Sequence, residues 1–273
     1  MTTTAKAPTQ RRTHIGIGQT VRNTGVLVRR NVLRNLRLPQ LVLFATVQPV
    51  MFLLLFNFVF GGAIGAAVPV PGFEYIDWLL PGILVQTAVF GSTATALGLT
   101  EDLQAGVIDR FRSLPIARSA VLSGRTLADL LRSTFVALLM LFVGYLLGFR
   151  IGTDLGSALL GLALALLFGF SMSWLAASIG LGVKNPEAAQ SALFLLIFPF
   201  VFASSVFVPT QTMPDWLRLF AEHQPVTILT NAVRGLMVTG DVGSYGWRAL
   251  LWIAAILVVF FPLTVRQYRR VVG

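Results

Sequence analysis

The sequence predicts an all-α, polytopic membrane protein with six transmembrane helices. An amphipathic helix in the membrane interface precedes the first span, a short amphipathic helix follows the second, and short re-entrant or outer helices precede the last. Three observations predict this. Hydrophobic residues make up 55% of the 273 residues and charged residues only 12%, about half the charged share of a water-soluble domain. The apolar residues gather into runs close to the ~20 residues that cross a bilayer. Lys and Arg crowd the ends of those runs, as they do on the cytoplasmic flanks of spanning helices.

Residues 1–17 are expected to be a disordered tail, and 18–273 one transmembrane domain. Between 18 and 38, Val21, Gly25, Val28, Val32 and Leu36 recur every three or four residues, which places them on one helix face. Arg22, Arg29, Arg30, Arg34 and Arg37 fall mainly on the others. A basic amphipathic helix directly before a span lies in the interface plane. Span one, about 41–60, has no charge and an internal Pro49. Span two, about 79–100, holds Gly91, Ser92, Ala94, Thr95, Ala96 and Gly98, small residues that let helices approach closely in lipid. Spans three and four, about 133–149 and 155–183, are joined by a short turn. Lys184-Asn185-Pro186-Glu187 breaks span four from span five, about 188–208, and span six is about 249–265.

The basic residues set the topology. Eight lie before span one, five in the loop after span two, one at Lys184 and three after span six, against four in the intervening loops. This asymmetry places both termini in the cytoplasm and points to the inner membrane of a bacterial cell. The net charge of +10 therefore faces anionic lipid headgroups, and no basic patch interleaved with aromatics invites nucleic acid. The chain has no cysteine and two histidines, which excludes disulfides and thiolate chemistry. With the spans bounded as above, no ionisable group falls inside an apolar core, which argues against a proton-driven pump. A phosphate-binding Gly-Lys-Ser/Thr loop is absent, because the only lysines are Lys6 and Lys184. No nucleotide, metal or other cofactor site is expected on this chain.

The segment after span two carries a second pattern. Val107, Ile108, Phe111 and Leu114 make one apolar helix face beside Asp109, Arg110 and Arg112, and Pro115 ends the helix. From the residues alone this is either a helix that docks into a groove of a soluble partner or a membrane-surface turn with solvated charges. In the spans, Phe52 and Phe56, and Phe194, Phe198 and Phe202, either line a path for an apolar substrate or face lipid and neighbouring helices. Gln48 and Gln86 are the polar groups in spans one and two with a claim on a partner. Before span six, Trp216 suits the headgroup level, His223 reads as a turn or cap residue, and Arg234 as a snorkelling charge or a polar anchor.

The run Glu101-Asp102-x3-Gly106-x2-Asp109-Arg110-x3-Leu114-Pro115-x2-Arg118-x5-Gly124-Arg125 resembles the cytoplasmic loop of type-2 ABC transporter permeases, and in particular of their daunorubicin-resistance subfamily. Pro214-Asp215-Trp216-Leu217, His223-Gln224-Pro225-Val226 and Ala232-Val233-Arg234-Gly235-Leu236 resemble the stretch between that subfamily's last two spans. The resemblance implies a permease subunit of an ATP-driven exporter that moves a hydrophobic or amphiphilic compound, such as a drug, lipid or secondary metabolite. It implies two ATP-binding partner subunits, which hold the ATP and magnesium, and a second permease, either another copy or a relative. The loop bearing Glu101, Asp102, Gly106, Asp109, Arg110, Phe111, Leu114, Pro115 and Arg118 would be the coupling helix. The alternative is a stand-alone transporter or channel with no ATPase partner. An enzyme is not expected.

Overall fold

The computed structural model describes residues 22, 24–31, 33, 39–65, 72, 74–106, 118–183 and 185–272. The expected tail 1–17, Arg34, Arg37, and Asp109, Arg110, Phe111, Leu114 and Pro115 lie outside them. Every regular element among the described residues is a helix. Five are long and apolar enough to cross a membrane: Thr46–Gly65, Tyr75–Gln104, Leu122–Leu146, Leu155–Val183 and Tyr245–Arg270. The fifth span in chain order, Pro186–Phe202, is a shorter apolar helix of 17 residues, or about 25 Å at 1.5 Å per residue.

Span four is the centre of the bundle. Packed against it are spans two, three, five and six and the short helix Pro225–Arg234. Its faces bury Phe168, Ala176 and Trp174, and its near-uniform apolarity is what a helix surrounded by neighbours needs. Span two supplies Leu79, Leu80, Ile83 and Leu84 to the same core, with Ser92, Thr95, Ala96 and Gly98 buried lower down. Span one is different. Only 6% of its crossing window is buried, against 67% for span two, so it hangs on the outside of the bundle. Among its described side chains only Leu53 is covered, and its helix widens to a π turn at Phe56–Phe60.

Local signals explain several boundaries. Asn185 accepts the amides of Glu187 and Ala188 and so caps span five, with Pro186 in its first turn. Glu74 and Asp77 form a capping box at the start of span two, which accounts for that acidic pair. Asp154 caps the start of span four by accepting the amide of Ser157 at 2.9 Å.

Three expectations are corrected. The helix of span three begins at Arg118 rather than near 133; the charged side chains at Arg125, Asp129 and Arg132 meet partners on span two instead of ending the helix. The candidate span Leu122–Leu146 therefore includes Arg125, Asp129 and Arg132 toward its start, so ionisable groups that the expected bounds left outside stand on the spanning helix. Span five ends at Phe202 rather than near 208. The apolar run continues, but the Ser205 amide donates to the Thr227 hydroxyl and the Ser205 and Val206 carbonyls accept from Arg234. Tertiary partners take the groups that further helical turns would have used.

Candidate functional site

Two ends of the bundle can be told apart. At one end the basic flanks meet: the helical residues 22–33, the last turn of span two and the first turns of span three. Tyr268 near the end of span six is buried there with Leu99, Leu122, Trp174 and Leu181. We call this the basic end.

Asp102 stands on the last turn of span two and accepts from the Arg125 guanidinium at 2.8 Å. Arg30 of the N-terminal helix reaches the same carboxylate at 3.9 Å. A Cβ on Gly98 would lie within the space taken by that Arg125 guanidinium, so a glycine there is what lets Arg125 cross span two to reach Asp102. Leu27 is buried against Gly124. Three elements thus share one ionic joint. A turn deeper, Thr95 donates to Asp129 at 2.6 Å, and Arg132 lies 3.8 Å from Asp129 while donating to the Gly91 carbonyl. Arg22, Arg29 and Glu101 are exposed. Gly106 follows the helix at φ 64°, where a left-handed turn suits glycine, and Arg118 opens the next helix. Asp129 and Arg132 were missed by the sequence reading; their i, i+3 spacing before an apolar run was the available signal.

The phenylalanines singled out from the sequence form one seam. Phe194 and Phe198 have ring centroids 5.0 Å apart, Phe198 and Phe202 4.2 Å, and Phe202 and Phe207 5.2 Å. Phe207 stacks on Phe56 at 4.2 Å, and Phe52 lies 6.1 Å from Phe56. The seam joins span five to span one through Phe207, a residue the sequence reading left out. Phe194 and Phe198 remain exposed at its free edge. Phe52 also lines a cavity of about 340 Å³ between spans one, two and three, together with Gln48, Gln86, Thr87, Arg132 and Ser133.

The opposite end is organised by Arg234, which is buried and does not snorkel. Its guanidinium donates to the carbonyls of Trp78, Ser205 and Val206, to the Ser205 hydroxyl and to Asn231 Oδ1. Its Cζ sits 3.6 Å above the Trp78 ring. Gly82 makes room for this clasp, since a Cβ there would meet the Val206 carbonyl oxygen at 2.5 Å. Gln224 caps the helix Pro225–Arg234 by accepting from the Val226 amide and ties it to span five by donating to the Phe200 carbonyl. His223 Nδ1 donates to the Leu219 carbonyl of its own helix, as a cap residue does. Trp216 is exposed beside Leu219 and Phe220 on a strongly amphipathic helix, Asp215–His223.

The described residues contain no group of three or more His, Cys, Asp or Glu placed to hold a metal ion. What the arrangement can do is mechanical: a charged joint at one end, a neutral clasp at the other, and a polar cavity and aromatic seam between.

Residues 22–238 match the family described as ABC-2 type transporter. The chain is 36% identical to a daunorubicin resistance ABC transporter permease protein of Streptomyces coeruleorubidus, over 81% of this chain and 77% of that one. It is 30% identical to a probable doxorubicin resistance ABC transporter permease protein of Mycobacterium tuberculosis, over 84% of this chain and 82% of the relative. It is 25% identical to a putative transport permease of Porphyra purpurea, over 79% and 74% respectively.

Proposed function

This chain belongs to the ABC-2 type transporter family, and we propose that two permeases, this chain with a second copy or a relative, work with two soluble ATP-binding subunits to export a hydrophobic or amphiphilic compound. The chain itself is a multi-pass transport subunit similar to drug-resistance permeases. Under the proposal it lies in the bacterial inner membrane with its basic end in the cytoplasm. ATP and magnesium sit on the partner, and this chain holds neither.

The observation that carries the reading is the joint at the basic end. Spans two and three enter and leave the loop 107–117, and Asp102–Arg125 ties them together about one to two helical turns from it. Arg30 adds the N-terminal helix to the same carboxylate. A push on that loop by a nucleotide-driven partner would move both spans and the N-terminal helix as one body, rather than dissipating in independent helix ends. Span two runs from that joint, past a turn at Ser92, to the core and, through Trp78, to the Arg234 clasp. The compound would be handled where polar and aromatic groups meet, at the cavity and seam shared by Phe52.

The test is a pull-down from the native locus in mild detergent. A Walker-motif subunit should co-purify with the tagged chain in stoichiometric amount, and Asp109→Ala with Arg110→Ala should release it. A folded chain with no ATP-binding partner would overturn the coupled reading.

A further inference from the structure

Resting on the export reading, we infer that the cavity between spans one, two and three is an entry subsite for an amphiphile with an oxyanion headgroup, such as a phosphate, drawn sideways from the leaflet at the basic end.

The cavity gathers donors that lack acceptors. Its volume is about 340 Å³, within the ~300–1,000 Å³ of small-molecule sites. Gln86 is only 4% exposed. Its side-chain oxygen is sealed in the packing, and the amide nitrogen is the atom left open to the cavity. No described residue accepts from that nitrogen. Arg132 enters from span three with its side chain 13% exposed. A guanidinium carries five N–H donors, and here one meets the Gly91 carbonyl at 3.0 Å. The Asp129 carboxylate stands off from it at 3.8 Å, with its other oxygen taken by Thr95; Arg125 and Asp102 meet at 2.8 Å. Ser133 adds a hydroxyl beside Gly91, where a Cβ would come within 3.3 Å of it. No carboxylate lines the cavity.

The donors decide the headgroup. The Gln86 amide nitrogen and the open guanidinium N–H groups can only donate, so the ligand must accept. In a low-dielectric wall, a cation that no carboxylate meets closely favours a charged acceptor over a neutral one and repels an ammonium. Phe52, Phe90 and Leu97 line the rest, so the headgroup arrives on an apolar chain.

The position decides the route. On span two the lining runs from Gln86 to Leu97, about 24 Å to about 8 Å from Asp102 at 1.5 Å per residue. The cavity thus reaches from the middle of the bundle toward the basic end. Its side is closed by span one, of whose crossing window only 6% is buried, and Gln48 on that helix is exposed. A headgroup in the leaflet at the basic end can pass between spans one and three to Arg132 while its chain stays in lipid.

The experiment uses the full chain in dodecyl maltoside, whose headgroup is uncharged. Two photo-crosslinking probes share one diazirine-bearing hexadecyl chain, one ending in a phosphate and the other in a hydroxyl. Saturable labelling is measured and mapped by mass spectrometry. The wild-type chain should take the phosphate probe about tenfold more tightly or better, with label on spans one and three. Arg132→Gln and Gln86→Leu should each cut that preference several-fold, and Arg132→Lys should keep most of it. Arg29→Gln, which removes a charge at the same end but outside the cavity, should leave it unchanged. Equal affinity for the two probes in the wild type, or an equal fall in Arg29→Gln, overturns the subsite; Gln86→Leu decides alone if Arg132→Gln fails to fold. With the co-purified ATP-binding subunit, ATP should lower the labelling, as for a compound in transit. Labelling indifferent to ATP marks a resident phospholipid and overturns the entry role. Partner retained without phosphate preference sinks the subsite alone, whereas phosphate preference with no partner sinks the coupled reading and leaves the subsite standing.

Discussion

The two ends of this bundle both rest on arginine, and they use it in opposite ways. At the basic end Arg125, Arg30 and Asp102 meet as charges, with Arg30 substantially exposed. At the other end Arg234 is buried among carbonyls, a hydroxyl, an amide oxygen and an indole face. A cation held by neutral dipoles fixes the geometry of every acceptor it touches, and dissolved salt does not reach it. A cation such as Arg30, 42% exposed and 3.9 Å from its carboxylate, can change partners at small cost, and salt weakens it. The difference teaches which end is built to stay and which to move. Arg234 ties span two to the non-helical turn after span five and to the short helix before span six. The joint at Asp102 sits where a stroke would enter.

The largest expected effect is at the clasp. Arg234→Met leaves several buried acceptors unmet and should cost about 3 kcal/mol or more, lowering the melting temperature by about 6–12 °C in intrinsic tryptophan fluorescence, with no relief or worsening from added salt. A melting temperature within two degrees of the wild type, or one that tracks ionic strength, would erase the contrast between the ends.

Asp102→Asn comes next. It should lower stability by about 1–3 kcal/mol and, unlike Arg234→Met, should free the N-terminal helix to trypsin at Arg29 and Arg30. High salt should produce the same cleavage in the wild-type chain. Gly98→Ala sharpens the point without touching a charge: its methyl displaces the Arg125 guanidinium, and the cleavage should appear to a lesser degree. Protection that persists in both variants would mean that hydrophobic packing of Leu27 alone holds the helix.

Thr264→Val removes a hydroxyl that donates to the Trp174 carbonyl at 3.0 Å between spans six and four. It lies at the basic end but outside the ionic joint, so about 1 kcal/mol is expected, measured by the same melt, without altered proteolysis. The smallest effect belongs to Asp154. The Ser157 hydroxyl, and then its amide, hold the carboxyl below its ordinary value. A lowered value means the cap is fully present above the ordinary carboxylate range and is lost as pH falls through the depressed one. Ser157→Ala should remove that acid dependence, read as a change in the slope of melting temperature below pH 4, and leave neutral-pH melting alone.

Much of the architecture was legible in the residues. The apolar runs, the basic amphipathic stretch and the Asn185-Pro186 break each carry a local signature, because lipid and backbone geometry act on every turn separately. So did Arg234, a charge in a short apolar helix that had to be either a snorkel or an anchor. Hydropathy failed where burial came from protein rather than lipid. It started span three at Ser133, since Arg125, Asp129 and Arg132 look like a water-facing flank until Asp102, Thr95 and Gly91 are seen opposite them. It carried span five past Phe202, since Val206 and Phe207 are as apolar as any helix residue.

Taken alone, the sequence determined that the chain is helical, that it crosses a membrane, that one face of that membrane receives its basic flanks, and that its loops resemble those of ABC permeases. Each follows from residue type and spacing within a few turns. Only the tertiary structure decided that Arg125 passes over Gly98 to Asp102, that Phe207 joins two phenylalanine clusters into one seam, and that Gln48, Gln86 and Arg132 line one cavity. These depend on which residues far apart in the chain come within 3–6 Å, and that is set by the packing of whole helices against span four, to which no single stretch of sequence refers.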